Sequence, residues 1–130
     1  MWIYSQAAGK FWNEGGLCIA SDCYSGFGPG KNLPALQQIP DIGPLPEGLY
    51  WIEDPHDSDE TGPDTCRLIP DDHTDTFNRG QFALHGDSIS HPGEASKGCI
   101  VMRYDVRRVV IAAIQGKPAK DPSRKLWVNP

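Results

Sequence analysis

A mainly β domain of short strands joined by long loops is what the sequence predicts, on three observations. Glycine and proline are abundant, 14 and 12 among 130 residues, a turn-forming load that argues against a helical bundle. The apolar stretches are short and alternate with polar residues, which is the period of a half-buried strand. Only residues 104–116 carry apolar side chains at helical spacing. The length suits one domain whose core forms without crosslinks. Residues 1–130 are read as that single domain, with no internal repeat and no low-complexity tract.

The opening reads as a meander: WIYSQ, KFW and LCIAS are strands, with AAG and NEGG as turns. Residues 23–48 hold five glycines and five prolines. Missing N–H groups at that density exclude a central strand, so the segment is read as an ordered surface loop over the cleft. LYWIE (49–53) is a strand, the acidic DPHDSDETGPD (54–64) a turn-rich loop, and TCRLIP (65–70) a returning strand. DDHTDTFNRG (71–80) is loop again, and QFALH ends a strand at His85. YDVRRVVIAAIQG is the one helix, near 104–115, with Val106, Val109, Val110 and Ala113 as its apolar face and Gly116 as its cap. RKLWVNP closes the chain as a last strand.

The net charge of −5 and pI near 5.2 are wrong for coating nucleic acid or an anionic membrane, so neither is an expected partner. No stretch approaches the ~20 apolar residues that span a bilayer. The first residues, MWIYSQAAGKFW, lack the basic and apolar regions of a cleavable signal, so the protein works in the cytosol or leaves by a route that needs none. Of the four cysteines, Cys18, Cys23, Cys66 and Cys99, none has C-x-x-C spacing. Cys18 and Cys23 are a disulfide candidate by proximity, although packing is the commoner role of such residues.

The segment HGDSISHPGEASKGCIVMR, residues 85–103, carries the chemistry. A histidine ends one strand and a cysteine begins another, fourteen residues on. A thiol attacks a carbonyl as thiolate, and a nearby imidazole can take its proton and return it to the leaving amine. Backbone N–H groups around Gly98 and Cys99 supply an oxyanion site. Taken alone, the pair is better read as a buried structural Cys99 beside an exposed loop His85. A metal hydrolase using His85, Asp87 and His91 is a further alternative, cramped at three ligands in seven residues. No metal or other cofactor is expected.

The flanks resemble a known signature. His85, Gly86, Ser96, Gly98, Cys99 and Arg103 match the active-site pattern of L,D-transpeptidases, with Lys97 where that family has a second histidine. YSGFGPGKNLPALQQIPDIGPLPEGLYWI is in turn similar to the Tyr-Ser-Gly, Asn-x-Pro and Gly-Pro-x-Pro-x-Gly-x-Tyr pattern of the L,D-transpeptidase-like effectors exported by type VI secretion. The resemblance implies a β-sandwich or barrel and an antibacterial toxin acting on peptidoglycan in the periplasm of a target cell. Such enzymes cut tetrapeptide stems between meso-diaminopimelate and D-alanine, or exchange that D-alanine for another D-amino acid. A secretion carrier and a cognate periplasmic immunity protein are the implied partners. The alternative class is a noncatalytic binding or immunity module.

In these terms Cys99 is the nucleophile and His85 the base, with His91 its rival. Gly86 orients His85 through its carbonyl, or Asp87 does so through its carboxylate. Ser96 lies near the thiolate or is a turn residue. Arg103 binds the substrate carboxylate as a bidentate fork or makes a salt bridge at the helix start. Lys97 lowers the thiol pKa or points to solvent. Tyr24, Ser25 and Gly26 line the cleft or pack beneath it. His56 and His73, in acidic loops, are read as solvated.

Overall fold

The computed structural model covers residues 1–130. Nine strands run in chain order: β1 Trp2–Ser5, β2 Lys10–Trp12, β3 Cys18–Ala20, β4 Tyr24–Ser25, β5 Gly48–Ser58, β6 Gly62–Pro70, β7 Ala83–His85, β8 Ile100–Val101 and β9 Lys125–Asn129. The one α-helix, α1, spans Tyr104–Ile114. All nine strands join one sheet in the order β3-β2-β1-β9-β5-β6-β7-β8-β4. The β1–β9 and β7–β8 pairs are parallel and the rest antiparallel. No helix is long and apolar enough to cross a membrane.

The two edge strands, β3 and β4, are consecutive in the chain. Ala20 to Tyr24 reaches at most about 14 Å fully extended, whereas nine flat strands would span ~38 Å. The sheet must therefore curl until its edges approach each other. Inside the curl lie Tyr4, Phe11, Tyr50, Ile52, Leu84, Ile100, Leu126 and Val128, in one cluster of 20 buried residues. Val106, Val110, Ile111 and Ile114 of α1 pack into the same cluster.

Residues 54–64, read from the sequence as a loop, are instead the outer half of a long β5–β6 hairpin, with Pro55 opposite Cys66 and Ser58 opposite Gly62. Most of its outer residues are exposed or half-buried, so nothing demanded the alternation that marks a strand. The ladder slips between Ile52 and Pro55, where proline has no N–H to give. Residues 23–48 are not all loop either. They hold β4 and 3-10 turns at Gly28–Gly30 and Pro34–Leu36, and Leu45 sits in the core.

The helix forms where expected, but its buried face is turned. Val109 is 49% exposed, while Arg107 at 5% lies on the inner face. Gly116, with φ +75°, follows the helix end, the left-handed conformation that closes helices. All four cysteines are free, Cys23 and Cys66 being buried and Cys18 exposed.

Candidate active site

The interval between His85 and Cys99 has a topological cause. Strands β7 and β8 are parallel neighbours, with Leu84 opposite Ile100 and His85 opposite Val101. Parallel neighbours need a crossover of a dozen or more residues, and residues 86–99 supply it. His85 therefore ends β7 while Cys99 immediately precedes β8.

His85 is 2% exposed. Its Nδ1 lies 2.7 Å from the Gly86 carbonyl oxygen. A carbonyl only accepts, so Nδ1 carries the proton and Nε2 keeps its lone pair. Burial holds the imidazole pKa below its usual value, and the Arg107 charge adds to this; the Gly86 bond and Asp87 oppose it. The ring is thus neutral near pH 7 and has the tautomer of a base.

The thiol is protonated too. Burial pushes Cys99 up to about 11, against the opposing effects of the Ala83 N–H and the Arg79 charge. Its Sγ faces the Gln81 carbonyl at 3.7 Å. No hydrogen bond joins the thiol to His85. The two side chains line different cavities, a cleft of about 1110 Å³ for His85 and a smaller one of about 420 Å³ for Cys99. Glu60 and Thr61, at the tip of the β5–β6 hairpin, line both.

Ser96 and Ser25 do not touch the thiol; they shape the loop that carries it. Ser96 Oγ is buried, accepts from Gly26 N (2.9 Å) and Gly98 N (3.1 Å), and donates to the Cys99 carbonyl at 2.6 Å. Ser25 Oγ accepts from Leu45 N at 2.8 Å and donates to the Gly98 carbonyl at 3.3 Å. Asp87 shapes the crossover and makes no bond to His85. It accepts from Tyr24 Oη (2.6 Å), Ser88 N (2.8 Å) and Gly93 N (3.1 Å), while Tyr24 Oη accepts from Ala95 N at 2.9 Å.

Arg103 stands at the rim of the His85 cleft, already paired with Asp22 at 2.7 Å and Asp105 at 3.1 Å. Lys97 is exposed and lines neither cavity. His91 lines the large cleft, is exposed, and has Nδ1 beside Ser90 Oγ at 3.0 Å. His85, Asp87 and His91 do not converge as a ligand set. His56 and His73 are exposed, and His56 lies on β5 at the edge of the Cys99 cavity.

Two arginines belong to the site that the sequence reading passed over. Arg79 donates to the carbonyls of Gln37, Pro44 (2.8 Å), Gly43 (2.9 Å) and Lys97 (3.2 Å). It thereby ties the 23–48 segment to the loop before Cys99. Arg107 projects from α1 into the His85 cleft, its Nη1 on the Met102 carbonyl at 2.6 Å. A charge on an otherwise apolar helix face was the one available signal for Arg107; Arg79, in a polar loop, left none.

Both motifs lie within residues 20–120, and over that range the chain matches the family model of the Tlde1 domain. The chain belongs to the Tlde1 domain family. The match covers most of the molecule, from the end of β3 through α1, and so takes in every residue of the site. Tlde1 domains are effector toxins of type VI secretion, which agrees with an antibacterial role. Searches of curated proteins and of solved structures give no match to this Tlde1 chain.

Proposed function

We propose that this Tlde1 domain is a cysteine L,D-carboxypeptidase and L,D-transpeptidase acting on tetrapeptide stems of peptidoglycan. The observation that carries the reading is the His85 tautomer. Nδ1 is committed to Gly86, and the free Nε2 belongs to a ring at the end of the strand beside Cys99. Thiol and imidazole both rest neutral, so the pair works by general base catalysis and not as a preformed ion pair.

In the reaction, His85 Nε2 takes the thiol proton as Cys99 Sγ bonds to the carbonyl carbon of meso-diaminopimelate. The Gly98 N–H is held by Ser96, which leaves the Cys99 N–H to meet the oxyanion. The intermediate collapses, the C–N bond breaks, and D-alanine leaves with the proton from His85. Water then resolves the thioester to a tripeptide, or a D-amino acid amine resolves it to an exchanged tetrapeptide. Apo geometry in such sites is commonly looser than in the substrate complex; here closure requires the thiol to leave Gln81. The target lies in the periplasm of a recipient cell, where an immunity protein would neutralise the toxin.

The test is D-alanine release from purified disaccharide tetrapeptide, read by mass. Cys99→Ala should abolish release while remaining folded, and iodoacetamide should stop the wild type where EDTA does not. Activity surviving in the alanine variant removes the mechanism. The backbone bonds of the thiol favour one alternative, a binding module with an inert Cys99; an intact tetrapeptide after incubation with folded protein would select it.

A further inference from the structure

Arg107 is a buried cation with no anion. Its side chain is 5% exposed, yet no carboxylate lies within salt-bridge distance of it, in contrast to Arg103, Arg108 and Arg124. Nη1 is bonded to the Met102 carbonyl, and Nε is buried without a partner. The ring of Tyr104 lies 5.6 Å from the guanidinium carbon, and Asp64, the nearest acid in effect, is paired with Arg108 at 3.5 Å. Burying a guanidinium without a counter-charge is costly, so the site is incomplete in the free protein. It faces the cleft that holds His85. Gly86 makes that approach possible, since a Cβ there would stand 2.8 Å from Arg107 Nη1.

We infer that Arg107 binds the α-carboxylate of the leaving D-amino acid, and of the incoming one in exchange; this rests on the proposed function. His85 must deliver a proton to the leaving nitrogen, and the carboxylate of that amino acid is two bonds further on. A cation beside His85, close enough for its charge to act on the ring, stands where that carboxylate would arrive. Arg103, matched by Asp22 and Asp105, has less to offer. The acids that share the cleft do not compete for Arg107: Asp22 is held by Arg103, Asp87 by Tyr24 and two backbone amides, and Asp59, Glu60 and Glu94 are exposed. Arg107 is thus a specificity residue, requiring a free carboxylate at the scissile end.

Two arms test this. Cys99→Ala protein is titrated with N-acetyl-D-alanine and with N-acetyl-D-alaninamide, following the Arg107 Nε–H resonance by NMR. The acid should shift it and the amide should not; equal shifts, or none, overturn the inference whatever the muropeptide assay gives. In the second arm, wild type is given the disaccharide tetrapeptide and its C-terminal amide, with KM and kcat separated. A charge-assisted contact predicts a KM about tenfold to a hundredfold higher for the amide. Arg107→Met should lose the discrimination and Arg107→Lys recover part of it. Equal KM values for acid and amide in the wild type also overturn the inference, and this comparison needs no variant that might misfold. A shift with the acid in the first arm, with no cleavage of any tetrapeptide, keeps the carboxylate site and removes the peptidoglycan reading.

Discussion

Arg79 lies over Gly98, the residue before the cysteine, so closely that a Cβ added there would stand 2.5 Å from Arg79 Nη2. Gly98 also has φ +130°, a conformation that side chains resist. Gly98→Ala therefore meets two penalties, backbone strain of about 1–3 kcal/mol and a clash with a guanidinium pinned to four carbonyls. Urea unfolding should reveal the loss. The two parts separate in a double-mutant cycle: in an Arg79→Ala background the same substitution should cost less, because only the strain remains. Strict additivity would mean that Arg79 yields freely and does not fix the loop.

Ser96 organises the same loop from below. Ser96→Ala leaves Gly26 N and Gly98 N without their buried acceptor and the Cys99 carbonyl without its donor. Each orphaned buried group costs about 1–3 kcal/mol, so the midpoint of unfolding should fall clearly. Cys99 should also become more reactive toward iodoacetamide as its loop loosens. A variant with unchanged stability and alkylation rate would show that Ser96 is not the organiser.

The parts of this site that could be read in advance are those with a chemical or periodic signature. His85, Gly86 and Cys99 stand out because a strand end, a glycine and a nucleophile coincide, and their spacing turns out to be a parallel crossover. The helix was legible from its period, but its face was misplaced by counting apolar residues alone, which put Val109 inside and left Arg107 out of account. The outer β5–β6 hairpin was illegible for a different reason. Its strands leave the core, so no alternation is imposed on residues 54–64, and acidic residues with two prolines look like a turn. Arg79 acts only through backbone carbonyls from distant segments, and no local pattern encodes those.

Stability should form a dome in pH. Burial holds the His85 pKa below its usual value, so the neutral ring favours the folded state. That contribution is present above the unfolded value of ~6.5 and is lost as pH falls through the folded one. Burial raises Cys23 to about 12 and Cys66 and Cys99 to about 11. For these thiols the contribution is complete below the unfolded value of ~8.5 and is lost as pH rises toward the folded values. Urea midpoints measured from pH 4 to 11 should thus fall at both ends. His85→Gln should flatten the acid limb and leave the alkaline limb unchanged; an acid limb unaltered in that variant would assign it to other groups.

In the proposed reaction, the balance between hydrolysis and exchange follows from the shape of the His85 cleft. Both outcomes share the Cys99 thioester, so the nucleophile that reaches it first decides the product. At about 1110 Å³, lined by exposed residues such as Ile89, Ser90 and His91, the cleft admits water to His85 without a closing motion, and an acyl-enzyme whose base is open to water hydrolyses. The segment that reaches over it, with Tyr24 and Phe27, is tied down by Arg79 and by Ser25, which argues against a lid that shuts on demand. Disaccharide tetrapeptide alone should give tripeptide and free D-alanine. With excess D-methionine, a D-methionine-bearing tetrapeptide should join it as the smaller product. Exchange outrunning hydrolysis at millimolar D-methionine would mean that the acceptor is held in place before the thioester forms. Arg107 would then be the group to examine, since Arg107→Met should return the excess flux to water.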